Sequence, residues 1–333
     1  MKAHISGFGA YLPGPPVDNQ ELARRFSLNA DWISLFLGNE KRHFTTDLAT
    51  GDVVHSLADI AEKAGLAALA DAGLDTADIG FILLATATPD DLMPATVNIV
   101  AERFRRARIA TYQLQSGCTG ALQALALGSA LIRSGDHRRG LVIGADSCAK
   151  YMDPARDYTK LAASELVNYA LFGDGAGAVV LDRELRGRNW AIERLTYEIA
   201  DIEQPPGQHV AYRGIRESEG QMVREDYKAI ERLVPELAAD LVAELRGGAE
   251  AIDWFLPPQL SGRMTQTIIR KLGLPKERCL NCVHLTGNNG NALPFLQLAM
   301  LHETFSPGER ALGLAIESSR WMRGGYVISN QMD

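Results

Sequence analysis

A strand, a glycine turn and a wholly apolar helix in direct succession constrain this chain more than any other feature. Ala110-Thr111-Tyr112-Gln113-Leu114 reads as a short buried strand and Gln115-Ser116-Gly117-Cys118 as a turn. The small and apolar run that follows, ending at Gly135, reads as a helix. A helix without a polar face belongs inside a large core, not on a surface. Cys118 stands at its start. Helix N-termini carry partial positive charge and unpaired backbone N–H groups. The position therefore predicts a thiol of lowered pKa and donors able to hold an oxyanion once the sulfur attacks a carbonyl. A plain core role fits the same residue, because free cysteines are commonly buried. The stretch by itself leaves both readings open.

The 333 residues are enough for a large core or two fused domains. Hydrophobic residues make up 46% of them, yet no apolar run reaches the length of a membrane span. The N-terminus enters a strand-like segment directly, which predicts no signal peptide and a cytoplasmic setting. A net charge of −7 without a Lys/Arg block argues against nucleic acid as a partner. Four cysteines in a chain this long do not make a disulfide scaffold, and Cys279-Leu280-Asn281-Cys282 has no second pair at zinc-site spacing.

Strands are predicted at His4–Leu12, Phe81–Thr88, Leu141–Asp146, Trp190–Ile199, Ile252–Leu256, Arg278–Val283, Ala311–Ser318 and Tyr326–Ser329, and Leu171–Leu181 reads as a glycine turn leading into a strand. Helices are predicted at Val53–Ala72, Thr96–Arg105, Tyr227–Leu245, Met264–Leu272 and Asn291–His302. A further helix starts near Asn19 as N-cap, and a short one begins at Asp31-Trp32-Ile33. Strands and helices alternate in both halves, the pattern of parallel α/β layers. The order of elements predicts two related halves, 1–185 with the cysteine and 186–333.

Several stretches, in this order, resemble the thiolase superfamily, and most closely its β-ketoacyl-acyl-carrier-protein synthase III branch. They are Ile5-Ser6-Gly7-Phe8-Gly9-Ala10-Tyr11-Leu12-Pro13, Asp31-Trp32-Ile33, Ala85-Thr86-Ala87-Thr88-Pro89-Asp90, Ser116-Gly117-Cys118-Thr119-Gly120, Leu171-Phe172-Gly173-Asp174-Gly175-Ala176-Gly177, Ile252-Asp253-Trp254-Phe255 and Gly287-Asn288. The resemblance covers essentially the whole chain. It implies a five-layered α/β/α/β/α fold of two similar halves, a homodimer (with a heteromeric pair as the alternative), and a two-step reaction. An acyl group moves from a thioester to the cysteine, here Cys118, and malonyl-carrier protein then decarboxylates and attacks it. Acyl-carrier protein or acyl-CoA serves as substrate, and no further cofactor, membrane or nucleic acid is implied.

The resemblance also marks departures. Family members that condense carry a Cys-His-Asn set. Asn288 keeps the Asn, whereas the His position holds Pro258, which has no side-chain donor. Two residues are candidates for the missing base. Glu317 lies after an apolar strand where the family has an aromatic residue, and its alternative role is an ion pair with Arg320 or Arg323. His284, four residues before Asn288, is the weaker candidate. The family's oxyanion donors map to the N–H groups of Cys118 and Ser319. Trp32 matches the residue that stacks on adenine, but the nucleotide-binding arginines map to Phe36 and Leu166. Arg263 is kept where the family docks the acidic carrier protein, which favours a carrier-protein donor. The acyl pocket is expected between Thr86–Met93 and the Asp201–Gly220 loop. An acyltransferase is the resulting expectation, in fatty-acid-like or secondary-metabolite biosynthesis. A catalytically reduced partner subunit and a thioesterase-like gatekeeper are the alternatives.

Overall fold

The computed structural model describes residues 2–185, 190–210, 223–246, 251–258 and 260–331. Nine strands join in one sheet: β1 (His4–Tyr11), β2 (Phe81–Ala85), β3 (Ala110–Leu114), β4 (Arg139–Asp146), β5 (Gly175–Asp182), β6 (Trp190–Ile199), β7 (Trp254–Leu256), β8 (Arg310–Glu317) and β9 (Met322–Asn330). The principal helices are α1 (Asn19–Phe26), α2 (Leu57–Asp71), α3 (Thr96–Arg103), α4 (Gly120–Ser134), α5 (Ala163–Leu171), α6 (Tyr227–Arg246), α7 (Gly262–Lys271), α8 (Val283–Thr286) and α9 (Leu293–Leu301). No helix among the described residues is long and apolar enough to cross a membrane.

In space the strands run β7-β8-β9-β6-β1-β5-β4-β2-β3. The first-half strands thus lie on one side and the second-half strands on the other. They join where His4 and Ile5 pair with Ala191 and Trp190. Each side repeats one plan. β3, β2 and β4 are parallel, and β5 and β1 follow antiparallel. β7 and β8 are parallel, and β9 and β6 follow antiparallel. The predicted strand at Arg278–Val283 is reduced to a single parallel bridge between Phe255 and Cys279, flanked by a 3₁₀ turn and α8. The expectation of parallel layers is corrected as well, since most neighbouring strands are antiparallel. The apolar runs of β4 and β5 look like parallel strands because helices cover both faces of the sheet.

Side chains alternate across each strand. On β2, Ile82 and Leu84 pack with α2 and α3, while Phe81, Leu83 and Ala85 face a central cluster built on α4 and α9. On β8, Leu312, Leu314 and Ile316 pack with α6 and α7, while Ala311 and Ala315 face the same central cluster. The layers are helix, sheet, helix, sheet, helix, as the resemblance implies. The same parity turns Glu317, two residues beyond Ala315, towards the centre.

Local chemistry sets the boundaries. α2 begins at Leu57, not Val53, because Ser56 and Asp59 form a reciprocal capping box there. α1 is capped by Asp18, whose carboxylate accepts the Glu21 N–H at 2.8 Å. Asn19, the expected cap, instead donates its amide to Ser34 Oγ and Asn39 O. β3 is an edge strand with half-buried side chains and an exposed Tyr112, not a buried one.

Candidate active site

Cys118 lies in the turn between β3 and α4. Gly117 makes that turn with a left-handed φ of 51°, a conformation that suits glycine. The backbone donors expected to be free at the helix start are all engaged. Thr119 N–H bonds Ser116 O (3.2 Å) and Gly120 N–H bonds Gly117 O (3.2 Å). Ala121 N–H bonds the Asn291 side-chain oxygen (2.9 Å), and Cys118 N–H donates to Glu317 Oε2. The expectation of a lowered thiol pKa is corrected too. Burial pushes the Cys118 thiol well above its usual value. The negative charges of Glu317 and Asp146, the hydrogen bond to Glu317 and the nearby Cys148 push it further up. The helix-end effect is outweighed because its donors already serve carboxylate and amide oxygens.

Glu317 is only 2% exposed. Its other oxygen, Oε1, accepts the Ser319 N–H at 2.7 Å. The two N–H groups named as oxyanion donors, Cys118 and Ser319, thus converge on one carboxylate. The alternative role of Glu317 as an ion-pair partner does not hold: Arg323 pairs with Glu198 and Glu244, and among the described residues no cation pairs with Glu317. A Cβ on Gly117 would lie 2.0 Å from Glu317 Oε2, so the glycine also makes room for the carboxylate.

Two residues that the sequence did not single out complete the cluster. Asp146 ends β4 and is buried. It accepts from Ala87 N (2.7 Å), Asn291 N (2.8 Å), Asn291 Nδ2 (2.9 Å), Thr86 Oγ1 and Thr88 Oγ1 (both 3.1 Å). Burial raises its pKa in spite of these bonds. Asn291, in turn, caps the start of α4 through Ala121. A charged residue closing an apolar strand, and an Asn-rich run ahead of an apolar helix, were the available signals. The arrangement is reciprocal. The carboxylate ending β4 holds the turn before α9, and the carboxylate ending β8 holds the turn before α4.

Asn288 is buried on the same turn as Asn291. Its Oδ1 accepts the Gly290 N–H (2.9 Å), and its backbone bonds Leu171 and Gly173. Pro258 is buried beyond β7, next to Pro257, whose carbonyl accepts from Gln297 Nε2 (3.0 Å). Among the described residues no hydrogen bond joins His284 to the cluster: its carbonyl accepts the Glu40 N–H (2.7 Å) and its Nδ1 is buried without a partner. Of the expected pocket walls, Thr86 and Thr88 serve Asp146, whereas Leu92 and Met93 are exposed. Residues 211–220 of the other wall lie outside the described residues.

Trp32 and Arg263, far apart in sequence, share one rim. Arg263 is exposed and donates to Leu35 O at 2.7 Å, while Gly262 N–H bonds Asn39 Oδ1 at 2.9 Å. Phe36 stacks on Trp32 with centroids 5.4 Å apart and planes 12° from parallel, and Tyr227 lies 5.3 Å beyond Phe36. Leu166 packs into the same apolar cluster. Around Trp32 and Phe36 the packing is aromatic and aliphatic.

Known proteins resemble the chain over most of its length. The sequence profile of 3-oxoacyl-[acyl-carrier-protein (ACP)] synthase III matches residues 112–198, and that of its C-terminal region matches residues 243–318. The chain is 30% identical over 295 residues to β-ketoacyl-[acyl-carrier-protein] synthase III of Staphylococcus epidermidis RP62A, covering 88% of this chain and 87% of that protein. Its structure matches AbyA1, described as a tetronic acid condensing enzyme, with a TM-score of 0.92 and 41% identity, covering 98% of this chain and 99% of that one. It also matches 3-oxoacyl-(acyl carrier protein) synthase III of Pseudomonas aeruginosa PAO1 with a TM-score of 0.83 and 27% identity, covering 100% and 99%.

Proposed function

Because the chain belongs to the 3-oxoacyl-acyl-carrier-protein synthase III family of acyltransferases, we propose that Cys118 takes an acyl group from a carrier-protein thioester and passes it to a second nucleophile in secondary-metabolite biosynthesis. The observation that carries this reading is the meeting of both halves on one thiol. Cys118 comes from the turn before α4, Glu317 from β8, and Asn291, three residues after Asn288, caps the same helix start. The 41% identity to a tetronic acid condensing enzyme supports a secondary-metabolite product over bulk fatty acid.

The rim supports a carrier-protein donor. Exposed Arg263 suits an acidic protein surface, and the apolar stack of Trp32 and Phe36 offers no guanidinium to a nucleotide phosphate. Pro258 bears on the second step. If it occupies the place of the family histidine, the enolate of a decarboxylating malonyl group has Asn288 without its usual companion. Loss of one such donor typically raises a barrier by about 3–4 kcal/mol. An acceptor that needs no decarboxylation, such as a hydroxyl, an amine or an acidic carbon, suits this site better.

Intact-protein mass spectrometry tests the reading. A panel of acyl-carrier-protein and acyl-CoA thioesters should add one acyl mass to the protein and none to Cys118→Ala, with the carrier-bound donors reacting faster. A folded protein that takes up no acyl group is a partner subunit instead. An adduct discharged only to water marks a gatekeeper. Carbon dioxide and a β-keto product from malonyl-carrier protein would overturn the inference drawn from Pro258.

A further inference from the structure

The two donors that must hold the acyl oxygen are not empty in this protein. Both point at the same side chain: Cys118 N–H at Glu317 Oε2 and Ser319 N–H at Glu317 Oε1. A carboxylate, like the oxyanion of a tetrahedral intermediate, presents negative oxygen to such donors. We infer that Glu317 is the resident occupant of the oxyanion site, that the thioester oxygen replaces it there, and that it leaves carrying the Cys118 thiol proton. This inference rests on the reading of Cys118 as acyl acceptor.

Three features support it. Glu317 is buried and, among the described residues, pairs with no cation, so these backbone donors are what its carboxylate meets. It is also held more lightly than Asp146, its counterpart at the end of β4, which collects five hydrogen bonds. Finally, Glu317 Oε2 accepts the backbone N–H of Cys118 itself, which sets the carboxylate beside the residue that carries the sulfur. The acidic groups near the sulfur, Glu317, Asp146 and Cys148, all disfavour a free thiolate, so sulfur can attack only as its proton departs.

The step balances. The S–H proton passes to the Glu317 carboxylate, which becomes a neutral acid and a poorer acceptor for the two N–H groups. The sulfur electron pair adds to the thioester carbon, and the carbonyl oxygen gains the negative charge and takes the vacated donors. Collapse breaks the carbon–sulfur bond to the carrier, whose sulfur departs as a thiol with the proton returned by Glu317. In the acyl-enzyme the carbonyl oxygen holds the donors. Glu317 then stands beside them as a carboxylate, available to take a proton from the second nucleophile.

Two rates measured on the same variants test this. In Glu317→Gln and Glu317→Ala, each checked for a cooperative thermal transition, Cys118 is alkylated by iodoacetamide and separately acylated by an acyl N-acetylcysteamine thioester. Removing the negative charge should speed alkylation about 10-fold or more. Losing the proton acceptor should slow acylation about 100-fold or more. A general loosening of the site does not move the two rates in opposite directions. Alkylation that is unchanged or slower overturns the occupancy, and acylation that is unchanged or faster overturns the proton transfer. If the wild-type protein takes up no acyl group, the acyltransferase reading fails, while the alkylation arm still decides whether Glu317 holds the site.

Discussion

Replacing Gly117 by alanine should evict Glu317 from its place, and the cost can be worked out in two parts. The first is conformational. Gly117 has a φ of 51°, and an L-residue with a side chain held there loses roughly 1–2 kcal/mol. The second is steric. The new methyl would lie 2.0 Å from Oε2, 2.3 Å from Cδ and 2.8 Å from Cγ of Glu317, so the carboxylate has to leave both N–H groups. Hydrogen bonds to a charged group contribute about 1.5–3 kcal/mol each, which puts the total near 4–8 kcal/mol. Unfolding entropy of about 2.1 cal/mol/K per residue over 333 residues makes 1 kcal/mol worth roughly 1.4 °C. Gly117→Ala should therefore lower the melting temperature by about 6–11 °C. In a Glu317→Ala background only the backbone part remains, about 1.5–3 °C. Thermal melts of the wild type, both single variants and the double variant measure this. Equal drops in the two backgrounds, within the roughly 0.5 kcal/mol expected of independent sites, would refute the eviction.

Three more expectations follow from the structure. The raised Cys118 pKa means that thiolate appears late, so iodoacetamide alkylation of the wild type should still accelerate at pH 9; a plateau by pH 8 contradicts this. Arg263→Glu, at an exposed rim position, should raise KM for an acyl-carrier protein by about 10-fold and leave a small N-acetylcysteamine thioester unaffected; equal effects on both donors would remove Arg263 from carrier docking. Burial pushes the Asp174 carboxyl up to about 6, while it accepts from Thr45 N and Oγ1 and from Ala149 N. Its native form therefore binds a proton more tightly than the unfolded chain. Its contribution to stability is greatest at acid pH and falls as pH rises through about 4 to 6. The destabilisation caused by Asp174→Asn should shrink across that interval, and a gap constant with pH would count against it.

Much of the framework could be read from residue pattern. The apolar run of α4 announces a central helix, and Leu141–Asp146 announces a buried strand, because burial leaves a local signature in composition. The five layers came from the family resemblance, not from periodicity. Strand direction was misread because helix-covered sheets look alike whichever way their strands run. The site was legible in its parts but not in its balance. Cys118 at a helix start suggests an activated thiol only while the helix donors are assumed free. What occupies them, Glu317 and Asn291, lies more than 160 residues away, and only folding sets these charges and amides against the sulfur. Glu317 stood out as a carboxylate after an apolar strand. Its direction towards the centre emerged only with the packing of Ala311 and Ala315 in the folded sheet.

The crossed grip of the two strand-ending carboxylates makes the molecule mechanically lopsided. Each clasp has two backbone N–H fastenings, and the Asp146 clasp adds three from side chains. Thermal breathing across the central layer should start at the lighter clasp, where the sulfur is, while the heavier one keeps the two sides of the sheet aligned. A loose latch can thus sit at the heart of a stiff frame, and it can open and reshut without the strands having to slide.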